Sequence, residues 1–438
     1  MTPILLFFYQ VGLFGFGAVY LAIRLIQGKG LPGIRERLAL YPPELAKQLR
    51  SLQRPVWVHA VSVGEVLAAR PLIEELKRRF PRRDWLVTTT TATGRHLARK
   101  TLQDFRTRVL YLPWDLGPVV RRAVKTIRPA LFISFETELW PVLFDRMGRD
   151  GVPIAVVNGR ISPRGYGRYL WVRPWMHRVL APVSLFLTQS PQDARRYAAL
   201  GAAKDRIVVS GNLKWDLNVA ASSNGSQAER QREWLGLDPA QTLWTAGSTH
   251  AGEEKQIFQI FARLKSRYPG LRLLIAPRHP ERVQEVEREA VLAGLKTVRR
   301  SQWTGTGAGR WEADTVILLD TVGELAGFYR LSGMVFVGGS LVPHGGHNLV
   351  EPASMSRPIL SGPHLQNFQA ISESLLQAKG MRIVQSPEEL EQAVSRLLES
   401  PGQAREMGLR AHAVFQQNQG TLKRTADLIG LRWGRVLS

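Results

Sequence analysis

Val335-Phe336-Val337-Gly338-Gly339-Ser340, continuing through His344-Gly345-Gly346-His347-Asn348 to Glu351-Pro352-Ala353, decides the fold of this chain. An apolar β-branched run ends in paired glycines, a second glycine pair follows, and a helix opens near Asn348. That order describes a strand feeding a bare-backbone loop and then a helix N-terminus. Free N–H groups and the helix dipole at such a junction favour phosphate. A pair of tight turns with no ligand would use the same residues, because glycine is the usual turn residue. The rest of the chain weighs between them.

Outward from that stretch, strand-like runs recur at Leu243–Gly247, Leu271–Ala276, Val316–Leu319 and Pro358–Leu360. An earlier series lies at Pro55–Val61, Trp85–Thr90, Val109–Leu112, Leu131–Phe135, Ile154–Val157, Leu185–Thr188 and Ile207–Val209. Helical patterns such as Leu116–Ile127, Trp140–Arg149 and Gln192–Leu200 fall between them. Regular alternation implies two parallel, doubly wound α/β halves, with ligands at the carboxyl ends of the strands. The Ser/Ala/Asn/Gly-rich segment 218–227 reads as the linker between them. The expected division is an anchor at 1–28, a first domain at 29–217 and a second at 228–415. A C-terminal helix at 416–438 would pack back on the first.

A chain of 438 residues exceeds one ordinary core, which fits two domains. Without cysteine there are no disulfides, thiol nucleophiles or thiolate metal sites. Lys and Arg number 59 against 36 acids, a formal charge of +23, so an anionic partner is expected, either nucleic acid or an acidic membrane surface. Ile4–Ile26 is almost wholly apolar, long enough to cross a bilayer at about 20 residues. Lys29, Arg35 and Arg37 follow it, which places the main body in the cytoplasm. A retained membrane anchor is expected, spanning the bilayer or lying in one leaflet. Arg160–Arg178 interleaves five arginines with Tyr166, Tyr169, Trp171 and Trp175 and has no acid, which suits a headgroup surface.

Carboxylates stand at two strand ends. Glu65 follows the first strand, and Glu136 and Glu138 follow Leu131–Phe135. A carboxylate in a partly dry cleft is a general base or steadies positive charge. Ser62-x-x-Glu65 is equally a capping box, and the later pair, taken by itself, reads first as ion pairs with nearby arginines. In the second half, Arg278 offers charge to a phosphate and Glu324 or Glu351 offers acceptors to ribose hydroxyls. No G-x-x-x-x-G-K-[ST] stretch is present, which argues against an ATPase. His344-x-x-His347 lacks the H-E-x-x-H pattern of a zinc site.

These residues resemble a known family. His59-Ala60-Val61-Ser62-Val63-Gly64-Glu65, Glu136-Thr137-Glu138-Leu139-Trp140-Pro141, Gly211-Asn212-Leu213-Lys214-Trp215-Asp216, Pro277-Arg278-His279-Pro280-Glu281-Arg282 and the opening glycine stretch are similar to motifs of the 3-deoxy-D-manno-octulosonic acid (Kdo) transferases. They stand in family order over nearly the whole chain. Asn212 replaces a commoner Ser, and Leu349-Val350 a commoner pair. The resemblance implies a GT-B glycosyltransferase, two Rossmann-like domains facing across a cleft, with an N-terminal membrane-anchor helix. It implies inverting transfer of Kdo from CMP-Kdo to the lipid A precursor at the cytoplasmic face of the inner membrane. Glu65 would be the general base, and Glu136 and Lys214 would stabilise the transition state. Pro277, Arg278, Val322, Gly323, Glu324, Asn348, Leu349, Val350 and Glu351 would hold CMP. No metal or other cofactor and no nucleic acid would be needed. A UDP-sugar transferase of the same fold, and a membrane-tethered nucleic-acid binder, are the competing expectations.

Overall fold

The computed structural model describes residues 7–13, 15, 32–216, 231, 233–238, 240–303, 312 and 314–438. It divides into two units, Met1–Asp216 with Gly420–Ser438, and Leu217–Gln419.

The first unit carries β1 (Val56–His59), β2 (Trp85–Thr89), β3 (Thr107–Tyr111), β4 (Leu131–Phe135), β5 (Ile154–Gly159), β6 (Leu185–Thr188) and β7 (Ile207–Val209). They form one sheet in the order β3-β2-β1-β4-β5-β6-β7, and every pairing is parallel. All residues of β1, β2, β4, β5 and β6 are buried, because helices cover both faces. Trp57, Leu86, Phe132 and Phe186 point to one face, and Val58, Val87, Ile133 and Leu187 to the other. The order reverses between β1 and β4, and at such a switch point adjacent strand ends open a crevice.

The helix Thr421–Leu437 belongs to this unit and packs Ala426, Ile429 and Trp433 into its second core face. Its N-cap residue, Gly420, has no side chain to satisfy the first N–H groups. Asp216 supplies the acceptor instead, taking the N–H of Gly420 at 3.0 Å and of Leu422 at 2.6 Å. Asp216→Ala is therefore expected to cost about 1–2 kcal/mol. Urea unfolding of the first unit would check this, and an unchanged midpoint would remove the capping role.

The second unit carries β8 (Thr242–Thr249), β9 (Leu271–Pro277), β10 (Lys296–Arg299), β11 (Thr315–Leu318), β12 (Met334–Val337), β13 (Ile359–Ser361) and β14 (Met381–Ile383). The order is β10-β11-β9-β8-β12-β13-β14, again all parallel. Its switch point lies between β8 and β12. Gly247 admits the close approach there, since a Cβ would fall 1.9 Å from the Tyr329 hydroxyl.

Most of the expected anchor, and all of the linker 218–227, lie outside the described residues. Among the described residues no helix is long and apolar enough to cross a membrane. Phe7–Leu13 is helical and tied to the first unit: the Tyr9 hydroxyl donates to Asp115 Oδ2 at 3.1 Å, and Gln10 Oε1 accepts from the Gly117 N–H at 2.7 Å. Phe7, Phe8 and Val11 are exposed.

Candidate functional site

In the first unit, Glu65 stands at the third position of the helix Val63–Arg79, directly after β1. The capping box expected from the sequence does not form. The Ser62 hydroxyl makes no cap hydrogen bond, and Glu65 Oε2 reaches past it to accept the Val61 N–H at 2.8 Å. Burial, then the neighbouring Glu136 charge, push the Glu65 carboxyl up to about 8, against the opposing pull of that N–H. A carboxyl in this range exchanges protons near neutral pH, as a general base must.

Glu136 directly follows β4 with φ 55°, and Asn158, in β5, has φ 56°. Left-handed backbone costs a non-glycine residue about 1 kcal/mol, less for Asn. The strain turns the Glu136 carboxylate onto Lys214, with Nζ 3.0 Å from Oε1 and both side chains mostly buried. Amide contacts fix Lys214: Asn158 Oδ1 accepts the Leu213 N–H at 2.9 Å, and Asn212 Oδ1 accepts the Lys214 N–H at 3.0 Å. Asn212 Nδ2 in turn donates to Gln189 Oε1 at 3.1 Å. The ion pair foreseen for Glu136 thus exists, with a lysine of the site and not with a surface arginine. Glu138 has its carboxyl raised to about 7 by burial and the Glu136 charge.

His59 shares the motif but not the chemistry. Its ring is fully buried, Nδ1 lies 3.0 Å from the Thr88 carbonyl, and burial pulls it down to about 3. It stays neutral and packs edge-on against Trp140 at 5.5 Å.

In the second unit, the expected nucleotide residues gather at the strand ends. Pro277 closes β9, and the exposed Arg278 makes no ion pair among the described residues. Val322 is 88% exposed and Gly323 has φ 91°. The Glu324 carboxylate is engaged by Arg300 at 2.9 Å and by the Thr321 hydroxyl. Leu349 and Val350 are fully buried, so only their backbone can face a ligand. Asn348 Oδ1 accepts the Val350 N–H at 2.9 Å, and its Nδ2 donates to Glu351 Oε1 at 3.1 Å.

The glycine loop differs from its sequence reading. Three of its N–H groups, those of Gly339, Ser340 and Leu341, are taken by a carboxylate and are not free for phosphate. Glu253 is fully buried beneath the loop, with Oε2 accepting from Gly339 at 2.7 Å and His250 at 3.0 Å. Its Oε1 accepts from Ser340 at 3.0 Å and Leu341 at 2.9 Å. Gly338 must be glycine because a Cβ would meet Glu253 Oε2 at 2.8 Å and Thr249 Cα at 2.7 Å. Glu253 sits in Glu253-Glu254-Lys255, which reads as an ordinary solvated helix start and carries no local signal of this role. His344 and His347 do approach His250, yet among the described residues no three His, Asp or Glu converge as a metal-ligand set.

The family model described as 3-deoxy-D-manno-octulosonic-acid transferase (kdotransferase) matches residues 32–217. The 3-deoxy-D-manno-octulosonic acid transferase of Haemophilus influenzae is 36% identical over 375 residues, covering 85% of this chain and 86% of that protein. The protein of the same name from Bordetella pertussis is 31% identical over 387 residues, covering 86% and 87%. A co-structure of S. aureus MnaA with UDP superposes with a TM-score of 0.53 at 15% identity over 88% of this chain and 98% of that one, a likeness of GT-B-type fold alone. Identity of this level along nearly the full length of both transferases shows that the chain belongs to the 3-deoxy-D-manno-octulosonic acid transferase family of glycosyltransferases.

Proposed function

We propose that the chain transfers Kdo from CMP-Kdo to the lipid A precursor with inversion at the anomeric carbon, in building the lipopolysaccharide inner core. The observation that carries this reading is the buried-edge carboxyl of Glu65 beside the Glu136–Lys214 pair at the switch point of the first sheet. Glu65 takes the proton from a glucosamine hydroxyl, and the oxygen attacks the anomeric carbon from the face opposite CMP. Glu136 and Lys214 supply fixed charge of both signs to a centre that turns oxocarbenium-like as a phosphate departs. Donor binding belongs to the second unit, through Pro277, Arg278, Val322, Gly323, Glu324 and the Asn348–Glu351 backbone. Because side-chain cations are supplied for the leaving group, the mechanism calls on no divalent metal.

Mass spectrometry of the products from CMP-Kdo and lipid A precursor tests the reaction and counts the residues added. Protection against thermal unfolding by UDP, with none by CMP, would overturn the donor assignment in favour of a UDP-sugar.

The acceptor's membrane is met by the first unit in this reading, at the cytoplasmic face of the inner membrane. Arg160–Arg178 folds into helices Pro163–Trp171 and Arg173–Leu180. Tyr166, Tyr169 and Trp175 pack inward, while Trp171 is 90% exposed, flanked by exposed Leu170 and Val172 and by Arg164, Arg168 and Arg173. An aromatic tip ringed by arginines suits an anionic headgroup layer. At about 1 kcal/mol per arginine near such a surface, replacing Arg164, Arg168 and Arg173 with Gln should weaken binding to anionic vesicles roughly a hundredfold. Unaltered cosedimentation would discard this face as the contact.

A further inference from the structure

Four imidazoles crowd the carboxyl ends of β8, β9 and β12. His250 Nε2 and His347 Nε2 are 2.8 Å apart, with ring planes within 2° of parallel. His344 stacks on His250 at 4.1 Å, and His279 meets it edge-on at 5.9 Å. A contact of 2.8 Å between two ring nitrogens requires a proton between them, one nitrogen donating and the other accepting.

The charged groups around this cluster are unbalanced. Arg278 is exposed and without an ion pair among the described residues. Arg282 is engaged by Glu254 and Glu285. Glu253 is consumed by four backbone N–H groups. Among the described residues, Glu281, 74% exposed at the rim and 3.4 Å from His279, brings negative charge. The cluster thus sets imidazole donors beside the Arg278 guanidinium, an arrangement that favours an anion.

An ulosonic acid donor brings two anions, since its carboxylate sits on the carbon that also bears the leaving phosphate. The glycine loop has already spent the N–H groups of Gly339, Ser340 and Leu341 on Glu253. Resting on the donor reading above, we propose that His250, His344 and His347, beside Arg278, form the subsite for the carboxylate of the donor sugar. This subsite makes the enzyme selective for an acidic sugar over a neutral one. A neutral sugar would leave the imidazole cluster without its anion, and unmet polar groups of that kind reject analogues strongly.

Geometry also dictates a proton linkage. His250 and His347 are pulled down to about 4, first by burial and then by neighbouring imidazoles and Arg278. A bound carboxylate favours the charged form, so the His250–His347 pair, which already shares one proton, takes up a further one as the donor docks. Donor affinity then rises as pH falls, and affinity for CMP, which lacks the carboxylate, does not share that slope.

Titration calorimetry of the full chain with CMP and with CMP-Kdo tests the subsite. His344→Asn and His347→Asn are expected to weaken CMP-Kdo about tenfold or more, the loss of one charge-assisted hydrogen bond, with CMP changed less than about threefold. His344 is exposed, so its variant keeps the test open if the half-buried His347 disturbs the loop. In the parent the ratio of CMP-Kdo to CMP affinity should grow between pH 8 and pH 6 and flatten in the variants. Equal losses for both ligands, or no loss for either, would overturn the carboxylate subsite while leaving the donor reading intact. Failure of the parent to bind CMP-Kdo would overturn the donor reading itself.

Discussion

Glu65→Gln is expected to lower Kdo transfer by about 10²- to 10⁴-fold, the usual worth of a positioned general base, while CMP binding stays unchanged. The variant separates catalysis from structure because Gln is isosteric and its amide oxygen can still accept the Val61 N–H. Stability supplies a second readout. The folded carboxyl is raised to about 8 and so binds its proton more tightly than in the unfolded chain. Its stabilising share is complete at low pH and lost as pH rises through about 8. Gln cannot ionise, so the variant should melt at or above the parent temperature at pH 8.5. A variant that melts lower yet keeps its activity per folded molecule would show that the residue only shapes the strand end. In the parent, kcat/KM should climb with pH through about 8 as the base ionises.

The second large effect is structural. Glu253→Ala strips the acceptor from four backbone N–H groups under the glycine loop, each costing about 1–3 kcal/mol when left unmet in the interior. Allowing for relaxation and entry of water, a loss of at least about 4 kcal/mol is expected for the second unit. Glu253→Gln is the sharper variant. Each carboxylate oxygen takes two N–H groups, so an amide nitrogen must face two donors whichever way it is turned. It should be nearly as damaging as Ala, although Glu and Gln have the same size. Denaturant unfolding checks this, and Glu253→Gln within 1 kcal/mol of the parent would refute the arrangement.

These two carboxylates mark how far the sequence could be read. The buried strands were legible because parallel strands covered on both faces are uninterrupted apolar runs, as in Leu131–Phe135 and Ile154–Val157. The strands missed, Lys296–Arg299 and Met381–Ile383, are the outermost of their sheet, where one neighbour suffices and the composition turns polar. Glu65 and Glu136 were legible as carboxylates at strand ends and Lys214 through the family resemblance, and the fold brings all three to one strand-end cluster. What pattern alone could not give is partner choice. Ser62-x-x-Glu65 matched a capping box, yet the bond goes to Val61. The glycine loop matched a phosphate cradle, yet Glu253, 87 positions before Ser340, takes the N–H groups of its first half, Gly339 to Leu341. Such choices are set by which side chain the tertiary fold delivers, and spacing along the chain does not encode that.

Asp216 binds the N–H of Gly420, so the polypeptide leaves the first unit and re-enters it at one spot. Residues 217–419 are in effect a guest spliced into a host. During translation the host must wait, its second core face open, until the guest has been synthesised and Ala426, Ile429 and Trp433 arrive to close it. Excising the guest and bridging Asp216 to Gly420 with a few glycines should leave a host that completes itself without delay.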